Sequence, residues 1–369
     1  MKKLTAALVA AGAAGALLLT GCSSERAGST TDPTDSTSEA GGGFAADATI
    51  GVALPQKTSE NWVLAEQLFK DGLTEAGFDP IVQFANSGVT EQQNQIQAMT
   101  EQGASVIVVG AIDGSQLGSQ LEAAADSGAS IIAYDRLVKN TEAVDMYVAF
   151  DNYQVGVLQG EALLQGLAER KGEGPYNIEL IAGSPDDANS TPFFDGAMSV
   201  LQPKIDDGTL VVVSGQTSFE QVATQGWKAE NAQKRMDTIL SGTYGDVELH
   251  GVLSPNDTLG RAALTAVAQA GKDTPVVTGQ DSEVESVKSI MMGEQYSTIY
   301  KDTRELVAQT IKQIQALQKG EEPEINDTES YDNGVKVVPS YLLTPVIVTK
   351  ENAADVYKDD ETLFPLTQG

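Results

Sequence analysis

Residues 106–135 read VIVVGAIDGSQLGSQLEAAADSGASIIAYD, and their pattern indicates the fold class. Its first four residues are apolar and β-branched, which is typical of a strand buried on both faces of a sheet. An alanine-rich helical segment follows, Gly128 ends it, and a second apolar strand at 131–134 leads to Asp135. A strand, a helix and a second strand in this order predict a parallel βαβ unit.

The same alternation continues through most of the chain. Residues 49–54 predict a strand, and apolar residues at helical spacing over 62–76 predict a helix that Gly77 ends. Further strands are predicted at 81–85, 105–110, 147–150, 178–182, 210–213, 249–253, 276–279 and 297–300. Repeated βα units indicate an α/β protein with helices on both faces of its parallel sheets.

Residues 252–281 repeat the plan of 106–135. In each stretch an aspartate follows the first strand, Leu-Gly leads into an alanine-rich helix, a glycine ends that helix, and an aspartate follows the second strand. The repeat predicts two similar lobes, each a doubly wound parallel sheet. Ligands of such sheets bind outside the carboxyl ends of the strands, so we expect a site between the two facing rims.

The length of the chain also indicates two domains, because 369 residues exceed what one hydrophobic core usually organises. We predict lobe one at 47–150 plus 302–341 and lobe two at 151–301 plus 342–369. The chain then crosses between the lobes three times, near 150, near 301 and within 341–344. These three crossings are expected to form a hinge.

The first 22 residues, MKKLTAALVAAGAAGALLLTGC, predict export. A lysine pair precedes an apolar run too short to span a bilayer, which is typical of a secretory signal peptide, here 1–21. The final Leu-Thr-Gly-Cys resembles the lipobox of bacterial lipoproteins, which implies that Cys22 becomes the acylated first residue. Cys22 is the only cysteine and has no disulfide to form. The alternative is an ordinary signal peptide with an incidental cysteine.

Residues 22–46 are rich in Ser, Thr, Asp and Gly and predict a flexible tether behind that lipid anchor. The protein is then expected on the outer face of the cell membrane. Asp plus Glu number 52 against 23 Lys plus Arg, a net charge of −29 that repels nucleic acid and anionic headgroups. With one histidine and one cysteine, no His/Cys metal cluster is possible. We expect neither a metal nor another cofactor.

Polar side chains follow the predicted strands in a consistent way. Asp135 and Arg136 follow one strand, Asp187 and Asn189 another, and the later strand ends carry Asn256, Asp281 and Lys301. Carboxylates accept from sugar hydroxyls, while cations and amides donate to the same oxygens. A sugar also has an apolar face that packs on aromatic rings. The two tryptophans, Trp62 and Trp227, fall where a cleft wall is expected.

In these segments the chain resembles the type I periplasmic sugar-binding proteins of ABC transporters, closest to the xylose-binding and multiple-monosaccharide-binding group. Their joint order carries the resemblance: Tyr-Asp-Arg at 134–136, Gly-Ser-Pro-Asp-Asp at 183–187, Ser-Pro-Asn-Asp at 254–257, Gly-Gln-Asp at 279–281 and Tyr-Lys at 300–301. The resemblance to this family extends from about residue 49 to about residue 357. The resemblance implies that a monosaccharide of the xylose, glucose, galactose or arabinose type is captured and delivered to a permease with its ATPase.

The resemblance also implies the roles of single residues. Trp62 and Trp227 would be the stacking walls. The polar contacts would be Arg136, Asp187, Asn189, Asn256, Asp281 and Lys301. Asp135 would either orient the neighbouring Arg136 or touch a sugar hydroxyl itself. Asn61 stands where many members have arginine, so a short neutral donor replaces a long charged one. We expect a monomer.

Other interpretations stay open at the level of sequence. An aspartate or asparagine at a strand end commonly caps the next helix, and for Asp113 and Asp257 capping is as good an interpretation as ligand contact. Either tryptophan could be a core residue. A glycosidase needs paired carboxylates, but these acids are interspersed with cations and amides suited to holding hydroxyls. A sugar-responsive regulator would carry a basic helix-turn-helix before residue 49. A nucleoside- or autoinducer-binding lipoprotein of this fold is the nearest alternative, because fold alone does not define function.

Overall fold

The computed structural model describes residues 43–57 and 59–368. The predicted signal peptide, Cys22 and residues 23–42 of the predicted tether lie outside the described residues. The strands are β1 (Thr49–Leu54), β2 (Asp79–Phe84), β3 (Val106–Val109), β4 (Ser130–Tyr134), β5 (Met146–Phe150), β6 (Tyr176–Leu180), β7 (Leu210–Val212), β8 (Gly251–Leu253), β9 (Val276–Val277), β10 (Ser297–Tyr300), β11 (Ser340–Leu343) and β12 (Val346–Thr349).

Helices connect most of these strands. They are α1 (Glu60–Glu75), α2 (Val89–Glu101), α3 (Gly118–Asp126), α4 (Asn152–Lys171), α5 (Ser190–Asp206), α6 (Phe219–Val222), α7 (Ala229–Thr243), α8 (Asp257–Gln269), α9 (Val284–Met292), α10 (Thr303–Lys319) and α11 (Ala353–Val356). Short 3₁₀ turns occur at Gln225–Trp227 and Phe364–Thr367. No helix among the described residues is long and apolar enough to cross a bilayer.

Lobe one is the name used here for the first sheet and the helices packed on it. Within the described residues, this sheet has six parallel strands in the order β11-β5-β4-β3-β1-β2. All four residues of β3 are buried, as its apolar run predicts. Val106 and Val108 pack on the face covered by α1 and α10, whereas Ile107 and Val109 pack on the face covered by α2 and α3. The sheet is therefore doubly wound.

Lobe two is built in the same way. In the described part of the chain its parallel sheet has four strands, in the order β7-β6-β8-β9. Helices α4 and α5 cover one face, and α7 and α8 cover the other. Strands β10 and β12 form a separate antiparallel pair that packs on α4. The strand order reverses between β1 and β3 in lobe one and between β6 and β8 in lobe two, and such switch points form the ligand crevices of doubly wound sheets.

The crossings between the lobes follow β5, β10 and β11. Strand β11 pairs with β5 along its whole length, to Leu343. The predicted boundary at residue 341 thus falls inside a strand of lobe one. Phe44 packs on Phe78 with 6.2 Å between ring centroids. The folded body therefore begins inside the range predicted for the tether.

Candidate functional site

A cavity lies between the lobes at the carboxyl ends of their strands. All ten predicted ligand residues line it, namely Asn61, Trp62, Asp135, Arg136, Asp187, Asn189, Trp227, Asn256, Asp281 and Lys301. The cavity volume is about 70 Å³, several times the roughly 10–15 Å³ that one water requires. The space suits a small polar molecule. That each of these side chains contacts a sugar stays a prediction.

Trp62 forms the wall on the side of lobe one. It lies in the first turn of α1, the helix that follows β1, and is only 8% exposed. Its ring meets Tyr134 edge-on with 6.1 Å between centroids, and the Arg136 guanidinium lies 5.3 Å from the ring centroid. A Cβ at Gly110 would come within 3.0 Å of this indole, so the glycine directly after β3 makes room for it. Trp62 is both a cavity wall and a core residue.

Trp227 forms the opposite wall but is held differently. It is the last residue of the 3₁₀ turn before α7, and its φ is 55°. Its indole Nε1 donates to Asp187 Oδ2 at 3.0 Å. A Cβ at Gly183 would lie 2.2 Å from the ring, a clash that only glycine avoids. A hydrogen bond, a glycine and packing at the edge of two apolar clusters therefore position this half-buried ring.

Asp187 joins the two lobes. Its Oδ2 lies 2.9 Å from Arg136 Nε, an ion pair between lobe two and lobe one. Oδ1 accepts from the Asn189 backbone N–H at 2.9 Å. With the Trp227 indole, three donors occupy a carboxylate that has about four acceptor positions. Asp187 thus orients Arg136 and Trp227 and has little capacity left for a ligand.

Asp281 and Lys301 form a second ion pair at the cavity, with 3.1 Å between Oδ1 and Nζ. Asp281 has a φ of 92°, a left-handed conformation that is costly for a residue with a side chain. Burial lowers the pKa of the Lys301 ammonium, but the carboxylates of Asp281, Asp135 and Asp187 outweigh burial and raise the pKa overall. Lys301 is therefore a charged donor, placed 5.6 Å from the centroid of the Phe193 ring.

Asp135 is the third acid of the cavity. Its φ is 60°, and its carboxylate accepts no hydrogen bond from the residues that the structure describes. Burial raises the pKa of this carboxyl, and the neighbouring Lys301 and Arg136 cations oppose that rise. Left-handed backbone at Asp135, Trp227 and Asp281 concentrates strain around one cavity, and such strain is typical of functional sites.

The three asparagine amides of the cavity already make hydrogen bonds within the protein. Asn61 Nδ2 lies 3.4 Å from the Asp281 carbonyl of the other lobe, and Asn189 Nδ2 donates to the Asp135 carbonyl at 2.8 Å. Asn256 caps α8 by accepting from the Leu259 N–H at 2.9 Å. The capping interpretation thus holds for Asn256, which also faces the cavity.

In each repeat, the aspartate that follows the first strand lies outside the cavity lining. These residues are Asp113 and Asp257. Asp113 accepts from the Ser115 N–H in its own loop. Asp257 is fully buried and accepts from the Glu283 N–H, the Thr298 hydroxyl and the Gln295 amide. Both acids are framework residues. No group of His, Cys, Asp or Glu in the described chain could hold a metal ion.

Several lining residues are absent from the sequence-based set, among them Phe150, Phe193, Gln280 and Thr303. Phe193 follows Asn189 by four residues, so the helical period of α5 could have indicated it. Gln280 directly precedes Asp281, and its buried Oε1 has no hydrogen-bond partner among the described residues. An unpaired buried acceptor facing a cavity is suited to accept from a bound hydroxyl.

Comparison with known proteins identifies the family. A family model described as a periplasmic binding protein domain matches residues 50–322. The multiple sugar-binding periplasmic receptor of Rhizobium radiobacter is 48% identical over 330 residues, which cover 86% of this chain and 93% of that protein. The chain belongs to the type I periplasmic sugar-binding proteins. Within that family it falls in the multiple-sugar and xylose group.

Other relatives support the same family assignment for this sugar-binding protein. The D-xylose-binding periplasmic protein of Escherichia coli is 34% identical over 318 residues, covering 85% of this chain and 91% of that protein. A solute-binding protein of an ABC transporter from Clostridium phytofermentans, solved with bound β-D-glucose, has a TM-score of 0.83 and 40% identity. The match covers 87% of this chain and all of that one. The protein is a sugar-binding receptor of ABC transport and not an enzyme.

Proposed function

We propose that this protein captures a neutral monosaccharide of the xylose, glucose, galactose or arabinose type in the interlobe cavity. The loaded protein then delivers the sugar to the permease of an ABC transporter, whose ATPase supplies the energy. The observation that carries this proposal is the cavity itself, a small enclosed space between two tryptophan rings with acids and cations around its edge.

The chemistry of this lining matches that of a sugar. A pyranose has two apolar faces, and Trp62 and Trp227 offer one ring from each lobe to pack against them. Its hydroxyls both donate and accept, so Asp135 and Asp281 can accept from them while Lys301 donates. Gln280 Oε1 adds a buried acceptor for which the described part of the chain provides no hydrogen-bond partner.

Capture by closure is supported by contacts that span the cleft. Arg136 pairs with Asp187, and Asn189 donates to the Asp135 carbonyl, each contact joining one lobe to the other. A ligand touching both rims stabilises the closed form, and the three crossings after β5, β10 and β11 act as the hinge. We accordingly assign 43–150 and 302–343 to lobe one and 151–301 and 344–368 to lobe two.

Two relatives support the choice of ligand class. The Clostridium phytofermentans protein was solved with β-D-glucose, and the Escherichia coli relative is named for D-xylose. Attachment to the outer face of the cell membrane through acylated Cys22 rests on the sequence Leu-Thr-Gly-Cys at 19–22. A lipid tether would hold a freely closing body near its permease.

Isothermal titration calorimetry with D-glucose, D-xylose, D-galactose and L-arabinose tests the function. We expect saturable one-to-one binding of at least one of them, accompanied by a change in tryptophan fluorescence. A nucleoside that binds while all four sugars fail would overturn the proposal and favour the nucleoside-binding alternative.

A further inference from the structure

A buried tyrosine outside the cavity connects the binding site to the hinge. Tyr147 lies on β5, is fully buried and is not among the residues that line the cavity. Its hydroxyl lies 2.5 Å from the Asp135 carbonyl oxygen and 3.0 Å from Asn152 Nδ2. Asn152 is the first residue of α4, directly after the first crossing between the lobes. One hydroxyl thus contacts both the cavity turn and the hinge.

The directions of these hydrogen bonds follow from the groups present. An amide nitrogen can only donate, so the Tyr147 hydroxyl accepts from Asn152. Its single proton goes to the Asp135 carbonyl, the closer of two possible acceptors. Burial raises the pKa of Tyr147 well above its usual range, so the hydroxyl keeps this proton.

Lobe two reaches the same carbonyl from the other side. Asn189 Nδ2 donates to the Asp135 oxygen at 2.8 Å, and Asn189 Oδ1 lies 3.2 Å from the Tyr147 hydroxyl. The Asp135 carbonyl therefore accepts one hydrogen bond from each lobe. Its two acceptor positions are filled only when the lobes are together.

These two hydrogen bonds act on a strained residue. Asp135 has a φ of 60°, which costs free energy unless surrounding contacts hold it. That conformation directs its carboxylate to the cavity and places Arg136 beside Asp187. Loss of the hydrogen bonds to the Asp135 carbonyl would let the backbone of this turn relax. The side chains of Asp135 and Arg136 would then leave their positions at the cavity.

We infer that Tyr147 is a positioning residue for sugar binding, whose hydroxyl holds the Asp135 turn in its binding conformation and links lobe closure at Asn189 to the hinge at Asn152. The inference rests on the proposed function, since it concerns the affinity of the same cavity. It assigns Tyr147 no contact with the ligand.

The test compares two tyrosine variants of the full chain. Tyr147→Phe removes the hydroxyl and keeps the ring. Tyr331→Phe is the matched control, because Tyr331 packs edge-on against Tyr147 at 5.0 Å and its hydroxyl accepts from the Asn152 N–H without touching Asp135 or Asn189. With D-glucose as the probe, we expect Tyr147→Phe to raise Kd about five- to twentyfold, mainly through faster dissociation, and Tyr331→Phe to change it less than about twofold.

Wild-type Kd in folded Tyr147→Phe would overturn the inference, and so would an equal loss in both variants, which would indicate general softening of the hinge. Should Tyr147→Phe fold poorly, Asn152→Ala removes the hinge-side partner and is expected to weaken D-glucose binding in the same way. Unchanged affinity there would also contradict the inference.

A crystal structure of Tyr147→Phe separates this inference from the proposed function. If the wild-type protein binds no sugar, the function fails, but the structure still decides whether Tyr147 holds the turn. We expect residue 135 to leave its left-handed conformation or its carboxylate to turn from the cavity. A turn identical to that of the wild type would overturn the positioning role.

Discussion

Trp62 and Trp227 face the same cavity, yet the two lobes hold them by different means. Trp62 is nearly buried and packs with Tyr134 in the core of lobe one. Trp227 lies on a 3₁₀ turn with left-handed backbone and is held by a hydrogen bond to Asp187. Trp62 belongs to a hydrophobic core, whereas Trp227 packs at the edge of two apolar clusters and is also held by a polar contact to Asp187, which pairs with Arg136. Apolar packing therefore fixes the tryptophan of lobe one, whereas a hydrogen bond to Asp187 also orients the tryptophan of lobe two.

This difference is tested most strongly by removing each ring in turn. Trp62→Ala should lower the free energy of unfolding by about 3–5 kcal/mol, because it leaves a cavity in a packed core. Trp227→Ala should cost clearly less stability, while both variants lose roughly 1–3 kcal/mol of sugar-binding free energy. Urea unfolding and calorimetry measure the two quantities. Equal losses of stability would show that the walls are not built differently.

The two repeats end in Asp135 and Asp281, and these two carboxylates can be compared between the lobes in the same way. Asp281 is paired with Lys301 at the cavity, so Asp281→Ala removes an acceptor and leaves an ammonium without its partner. We expect sugar binding to weaken by about 1.5–3 kcal/mol, or about ten- to more than a hundredfold. Asp113→Ala is the control, since among the described residues this aspartate accepts hydrogen bonds only from its own loop. Calorimetry showing equal affinities for the two variants would remove Asp281 from the site.

Asp135 is the corresponding carboxylate of lobe one, and it should make the thermal stability of the unliganded protein depend on pH. Its raised pKa means that the folded state holds the proton more tightly than the unfolded chain. Protonated Asp135 therefore favours the folded state. This contribution to the free energy of unfolding is fully present below the pKa of an aspartate in the unfolded chain, about 3.9, and is lost as the pH rises through the pKa of Asp135 in the folded protein. Asp135→Asn should therefore melt above the wild type at neutral pH and approach it in acid. Melting curves with the same separation at every pH would contradict this.

Cys22 should have no effect on the affinity of the cavity between the two tryptophans for sugar. Cys22→Ser is expected to abolish membrane attachment and to leave Kd unchanged, because the residue precedes the folded body. Membrane fractionation and the mass of the mature N-terminus check the first part, and calorimetry checks the second. Wild-type protein without an acylated N-terminus would rule out the anchor.

The fold could be predicted from the sequence because strands such as 106–109 are continuous apolar runs and the intervening helices keep their period. The switch-point rule then placed the strand-end residues in one cleft. What the sequence could not separate was ligand contact from framework. Asp257 and Asp281 follow strands of the same repeat, but only the three-dimensional partners of Asp257 show that its oxygens are already occupied.

Trp62 illustrates the same limit for apolar residues. Its position at the start of α1 predicts a cleft wall, but its additional role in the core depends on Tyr134, a residue 72 positions later in the chain. Phe193 was missed because it lies inside a helix and not at a strand end. Contacts between residues distant in sequence decide these cases, and local patterns do not contain them.

Small-angle X-ray scattering with and without saturating sugar tests capture between the lobes most directly. Measured beside calorimetry on the same sample, the radius of gyration should fall when D-glucose or another bound monosaccharide saturates the protein, because closure brings the lobes together. Tight binding with an unchanged radius of gyration and unchanged tryptophan fluorescence would contradict capture by closure of the two tryptophan walls.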